Sequence, residues 1–116
     1  MAGKRIYHLC RQADWLKAMA KGVYEGSEQD RSDGFLHFST SDQIEESAAR
    51  HRAGEADLLL LSADSAGFGD NLRWEASAGG ESYPHLYAPL PISAVLEVVP
   101  LVLDADGTHI FPLLTD

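Results

Sequence analysis

Four consecutive leucines, Leu58 to Leu61, lie within the segment Asp57 to Ala63, which is bounded by Gly54 on one side and the polar loop Asp64 to Asn71 on the other. This is the longest uninterrupted apolar run in the chain, far below the roughly 20 residues of a membrane-spanning helix. It is also shorter than a buried helix, and a short apolar run closed by turn residues suits a strand covered on both faces. A central strand needs neighbours and covering layers. A chain of 116 residues with 45% hydrophobic content is sized to supply them as one domain, residues 1–116.

The rest of the chain reads as short elements around that strand. Arg5 to Cys10 is predicted as a first strand, and Arg11 to Lys21 as a helix with Trp15, Leu16, Met19 and Ala20 on one side, ended by Gly22. Val23 to Gly34 is polar and reads as a loop, and Phe35 to Ser39 as a second strand. Thr40 with Gln43 has the form of a capping box, and Ile44, Ala48 and His51 carry a helical spacing on to Gly54. Leu72 to Ser77 and Tyr83 to Tyr87 flank a Gly79-Gly80 turn, with Pro84 pointing to an edge strand or an irregular segment. Ala94 to Leu103 and Thr108 to Phe111 flank Asp104-Ala105-Asp106-Gly107, a hairpin turn. Two main helices and several strands joined by short turns predict an α+β fold with mixed, mostly antiparallel sheets.

Charge narrows the partners. Eighteen acidic residues face nine basic ones, a net charge of −9, and the basic residues form no cluster larger than Lys4-Arg5. Phosphate-backbone binding needs a basic footprint, so nucleic acid is not expected as a partner. Met1 to Arg5 leads into Ile6-Tyr7-His8 instead of a long apolar core, so no signal peptide or membrane attachment is expected and the location is read as cytoplasmic. A lone cysteine, Cys10, agrees with a reducing compartment.

Strand alternation sorts the residues that could do chemistry. In Phe35 to Ser39, His37 and Ser39 share one face and Leu36 and Phe38 the other. Arg73, Glu75 and Ser77 oppose Leu72, Trp74 and Ala76, while Tyr83, His85 and Tyr87 oppose Pro84 and Leu86. If the polar faces converge, they line a pocket. Each residue also has a structural role open to it: His37 as a core histidine bonded to a backbone carbonyl, Glu75 as a salt-bridge partner of Arg73, and the tyrosines as packing. His51 suits the cationic end of a helix and His109 is expected at the surface.

Other chemistries lack their signatures. His8, His37, His85 and Glu75 are possible metal ligands, but there is no HxH, HExxH or CxxC spacing, so no metal is expected. A G-x-S-x-G nucleophile is missing, Gly67-Phe68-Gly69 lacks a phosphate-loop context, and Cys10 is expected to be buried.

Four segments in order resemble the bacterial family called domain of unknown function 952: Ile6-Tyr7-His8-Leu9; Gly34 to Thr40 with Gln43; Leu72-Arg73-Trp74-Glu75; and Tyr83 to Tyr87 with Pro89-Leu90. Trp15, Gly22 and Tyr24 fit as well, and Ala88 stands where that family usually has glycine. The family in turn resembles the ADP-ribosyltransferase fold, nearest its RNA 2′-phosphotransferase branch. His8 matches the first-strand histidine of that branch, and His37-Phe38-Ser39 resembles its second motif; Leu9-Cys10 stands where the broader fold has Gly-Ser or Gly-Thr.

The resemblance implies cleavage of the nicotinamide–ribose bond of NAD or a related nucleotide. Glu75 would stabilise the positive charge that develops on the ribose and His85 would act as acid or base. His8, His37 and Ser39 would hold ribose or phosphate groups, and Tyr87 would stack on a ring. The rival reading uses the same pocket to bind a small metabolite or nucleotide without catalysis.

Overall fold

The computed structural model describes residues 3–116. The leucine run is β4 (Leu58–Asp64), flanked by β1 (Arg5–Arg11) and β8 (Glu97–Leu103), with β9 (His109–Ile110) beyond β8. Both of β4's neighbours run antiparallel to it. Its inner position buries successive leucines on opposite faces. Cross-strand partners share a face, so Ile6, His8 and Cys10 lie with Ala63, Leu61 and Leu59, while Tyr7 and Leu9 lie with Ser62 and Leu60.

Each face has its own core. On the first, Ile6, Cys10, Leu59 and Leu61 pack with Trp15, Tyr24, Leu36, Phe38, Leu86 and Leu90. On the second, Tyr7, Leu58, Leu60 and Leu101 pack with Ile44. That isoleucine belongs to α3 (Ile44–His51), which ends three residues short of Gly54. The Thr40–Gln43 capping box forms in part: Gln43 Oε1 accepts from the Thr40 N–H at 3.0 Å, and a turn precedes the helix.

The first helix, α1 (Gln12–Lys21), follows β1 with no intervening loop, which fixes its rotation. Trp15 and Ala18 enter the core, whereas Leu16 and Met19, expected on the same side, are 60% and 58% exposed. The segment Val23 to Gly34, read as a loop, contains β2 (Val23–Tyr24) and a short helix, α2 (Glu28–Asp33). Ser27 and Asp30 form a full capping box, and Gly34 closes the helix in the left-handed conformation. The overlooked signal was therefore local: Ser27 with Asp30 three positions on.

A three-stranded sheet orders β3 (Leu36–His37), β6 (Ser82–Leu86) and β5 (Leu72–Ala76), with β6 in the middle. The expectation that Pro84 marks an edge or irregular segment is corrected here, because Pro84 is buried in the central strand. The hydrogen-bonded positions against β5 flank Pro84, so its missing donor turns toward β3. There the Phe38 N–H donates to the Pro84 carbonyl at 3.0 Å, just where the β3 ladder ends. One residue later the chain changes partner: Ser39 exchanges two backbone bonds of 2.8 Å with Tyr7 of β1. This bridge joins the two sheets into one curled surface. A short ladder between β2 and β7 (Leu90–Pro91) completes the pairing, and every pairing is antiparallel. The architecture is mixed α+β. No helix among the described residues is long and apolar enough to cross a membrane.

Candidate functional site

The register of the small sheet aligns two rows. Leu36, Leu86 and Leu72 stand side by side toward the core, and His37, His85 and Arg73 stand side by side on the opposite face, with Glu75 across from Tyr83. The predicted alternation therefore holds across all three strands. Leu36, Phe38 and Leu86 are buried as expected, while Trp74, near the hairpin end of edge strand β5, is 46% exposed.

On the polar face, Glu75 Oε1 accepts from His85 Nδ1–H at 2.8 Å and from the Tyr87 hydroxyl at 2.6 Å. The bond from His85 fixes its tautomer and leaves Nε2 as the acceptor of the neutral ring. Glu75 Oε2 has no hydrogen-bond partner among the described residues. Bonds from Tyr87 and then His85 hold the Glu75 carboxyl below its usual range, and the same contact raises the Tyr87 phenol. The Arg73–Glu75 salt bridge open to these residues does not form; the Arg73 guanidinium lies 4.6 Å over the Tyr87 ring instead. Phe35 ties the group together, its ring centroid 4.1 Å from His85, 4.5 Å from His37 and 5.2 Å from Tyr87.

Beside this group lies an acidic anchor that the sequence reading missed. Asp30 is buried. Its Oδ1 accepts from the His37 backbone N–H at 3.1 Å and from ring Nδ1 at 2.5 Å, while Oδ2 accepts from the Ser27 N–H and hydroxyl. Gly26 makes the approach possible: its φ is +95°, and a Cβ there would come within 2.6 Å of the Asp30 Cβ. The second His37 nitrogen, Nε2, lies 3.0 Å from Asp33 Oδ2. Both ring nitrogens face carboxylates, so bonding from Asp30 raises His37 above its ordinary value despite partial burial. Burial alone would raise Asp30, but the His37 bond, the nearby His8 and backbone N–H donors bring it well below the carboxylate range.

His8 stands behind His37, buried among Tyr24 and Phe38. Its Nδ1 donates to the His37 carbonyl at 2.6 Å, so Nε2 accepts from the Tyr24 hydroxyl at 2.7 Å. Burial lowers the His8 pKa and keeps the ring neutral. Both of its nitrogens are thus engaged internally.

Four of the six predicted residues, His37, Glu75, His85 and Tyr87, meet on one face, with His8 directly beneath. Ser39 does not join them: its hydroxyl lies 3.1 Å from that of Ser47 on α3, and its backbone bridges to Tyr7. His109, expected at the surface, is buried with Nε2 bonded to the Glu55 carbonyl at 2.7 Å, because the β8–β9 hairpin folds it inward. Burial pushes the Cys10 thiol up to about 12, which leaves it unreactive near neutrality. No group of three potential metal ligands assembles among the described residues. A surface depression of about 420 Å³ lies elsewhere, between Ser41, Asp42 and Glu45 and the C-terminal residues Pro112 to Leu114 and Asp116.

A model of the family described as "Protein of unknown function (DUF952)" matches residues 9–98. The crystal structure of protein CC0527 from Caulobacter crescentus is similar at a TM-score of 0.89 and 44% identity, over 92% of this chain and 94% of that one. Its solution NMR structure gives 0.80 and 46%, over 89% of each. No curated protein matches the chain.

Proposed function

Since the chain belongs to the DUF952 family of proteins of unknown function, we propose that the polar face of its small sheet binds NAD or a related nucleotide and cleaves the nicotinamide–ribose bond, in the manner of an ADP-ribosyltransferase-like fold. The observation that carries this reading is the state of Glu75: an ionised carboxylate with one oxygen anchored by His85 and Tyr87 and the other left for a ligand. As the C–N bond breaks, nicotinamide departs with the bonding pair and positive charge grows on the ribose. A preoriented carboxylate stabilises that charge more in the transition state than in the ground state. Water or an acceptor then adds to the ribose carbon, and His85 Nε2 takes the released proton.

His37 and Tyr87 flank the reacting group in this reading, and Phe35 supplies an apolar wall. His8, whose nitrogens are both engaged internally, acts by holding the His37 backbone. The protein would work in the cytoplasm, a location that suits its single, buried cysteine. One arrangement favours binding without catalysis: Arg73 already covers Tyr87 and Phe35 already covers His85. The experiment that separates the two is nicotinamide release by the parent protein and by Glu75→Gln.

A further inference from the structure

α2 meets the sheet at His37, through its backbone and its ring. Asp30 Oδ1 accepts from Nδ1 of His37 on β3, and Asp33 Oδ2, one turn further along α2, lies 3.0 Å from Nε2 of the same ring. A carboxylate only accepts, and a neutral imidazole carries a single N–H. With Nδ1 donating to Asp30, Nε2 faces the Asp33 carboxylate favourably only when His37 is an imidazolium. Asp30 has further bonds to Ser27 and to the His37 backbone, so it stays with the sheet whatever the ring's charge. The Asp33 side chain, 35% exposed, has only the ring and a Gln29 amide at 3.0 Å beside it among the described residues.

We infer that Asp30 is a positioning residue for the neighbouring Glu75 site, holding His37 as an imidazolium between two carboxylates that latches α2 to the sheet, and that loss of one ring proton frees the Asp33 end of the helix.

The segment that would move leads directly into the site. Gly34 and Phe35 follow Asp33, and Phe35 stacks on His85 and lies tilted against His37. The groups facing His37 are Asp30 and Asp33 from α2, His8 from β1 and His85 from β6, with Glu75 of β5 beyond His85. The two nearest are acidic, and His8 is neutral, so the local field favours the cation. The raised pKa of His37 agrees with that balance. That the latch bears on ligand binding rests on the nucleotide reading above, whereas the latch itself is measurable without any ligand.

The test is nuclear magnetic resonance of the ligand-free protein titrated between about pH 5 and 9, following the histidine ring nitrogens and the backbone amides of Glu28 to Phe35. Both His37 nitrogens should be protonated at the acid end, with a midpoint above 6.5, and the amides of Asp33 to Phe35 should shift with the same midpoint. Asp33→Asn should lower that midpoint by about one pH unit, tenfold in proton affinity, and remove the coupled amide shift. Asp30→Asn should lower it further; if that variant does not fold, Asp33→Asn decides the matter. A His37 midpoint at or below 6.5, or α2 amides indifferent to it, would overturn the latch. NAD titration of a separate sample reports on the nucleotide reading alone.

Discussion

The Asp30 carboxylate receives two bonds from His37, one from the backbone N–H at 3.1 Å and one from ring Nδ1 at 2.5 Å, so one side chain sets both the position of β3 and the charge of its imidazole. Stability should carry the mark of that pairing. The folded pKa of His37 is raised above 6.5, so its contribution is complete below 6.5 and is lost as pH rises through the higher folded value. His8 has the opposite sign: its folded pKa is lowered by burial, so stability falls as pH drops below 6.5 and the ring is driven to charge. Asp30, lowered from 3.8, adds a further acid loss as pH falls below that value. Urea denaturation across pH should therefore show a maximum near neutrality, and His37→Asn should remove the alkaline decline, keep the acid loss carried by His8 and weaken the one carried by Asp30.

The Tyr24 hydroxyl supplies the only donor to His8 Nε2 among the described residues. Tyr24→Phe keeps the ring in the core but leaves a buried acceptor unpaired, at a cost of about 1–3 kcal/mol. The substitution should also raise the His8 midpoint toward its ordinary value, since a bare Nε2 beside Asp30 gains by protonation. Denaturant titration and histidine resonances check the two effects. A variant as stable as the parent would mean that the hydroxyl bond is not formed in solution.

Leu59 and Leu60 point to different cores, one shared with Trp15 and Phe38 and the other with Tyr7 and Ile44. Truncation of either to alanine should cost about 2–5 kcal/mol. A loss at only one position would mean that the second face of β4 is not covered. Thermal or urea unfolding of Leu59→Ala and Leu60→Ala measures this directly.

What was legible in the sequence had a period or a local motif. The leucine run identified β4 as central, and alternation put His37, His85 and Glu75 each on the polar face of its own strand, faces that the sheet register then brings together. What escaped depends on contacts between distant segments. Pro84 reads as an edge signal, yet sits in a middle strand because the β3 ladder stops where its donor is missing. Leu16 and Met19 fit a helical stripe, but the tight β1–α1 junction turns Trp15 and Ala18 inward instead. Asp30 looked like one more acidic residue in a polar stretch; its Ser27 capping box was readable, its reach to His37 was not. Ser39 follows the alternation that carries His37, yet the switch of partner at Phe38–Ser39 carries it to β1 and α3.

The central claim is that Glu75 acts on a developing positive charge, and Glu75→Gln tests it with shape retained and charge removed. The parent protein, incubated with NAD and assayed by chromatography, should release nicotinamide, and the variant should not. Calorimetric titration of NAD, ADP-ribose and simple nucleotides should find the variant's affinity within about tenfold of the parent's, a difference of roughly 1.4 kcal/mol, because the carboxylate matters more to the transition state than to the bound nucleotide. A parent protein that binds a nucleotide without releasing nicotinamide, with affinity sensitive to His37, would make the site a binding module. Absence of both binding and release across the panel would contradict the account.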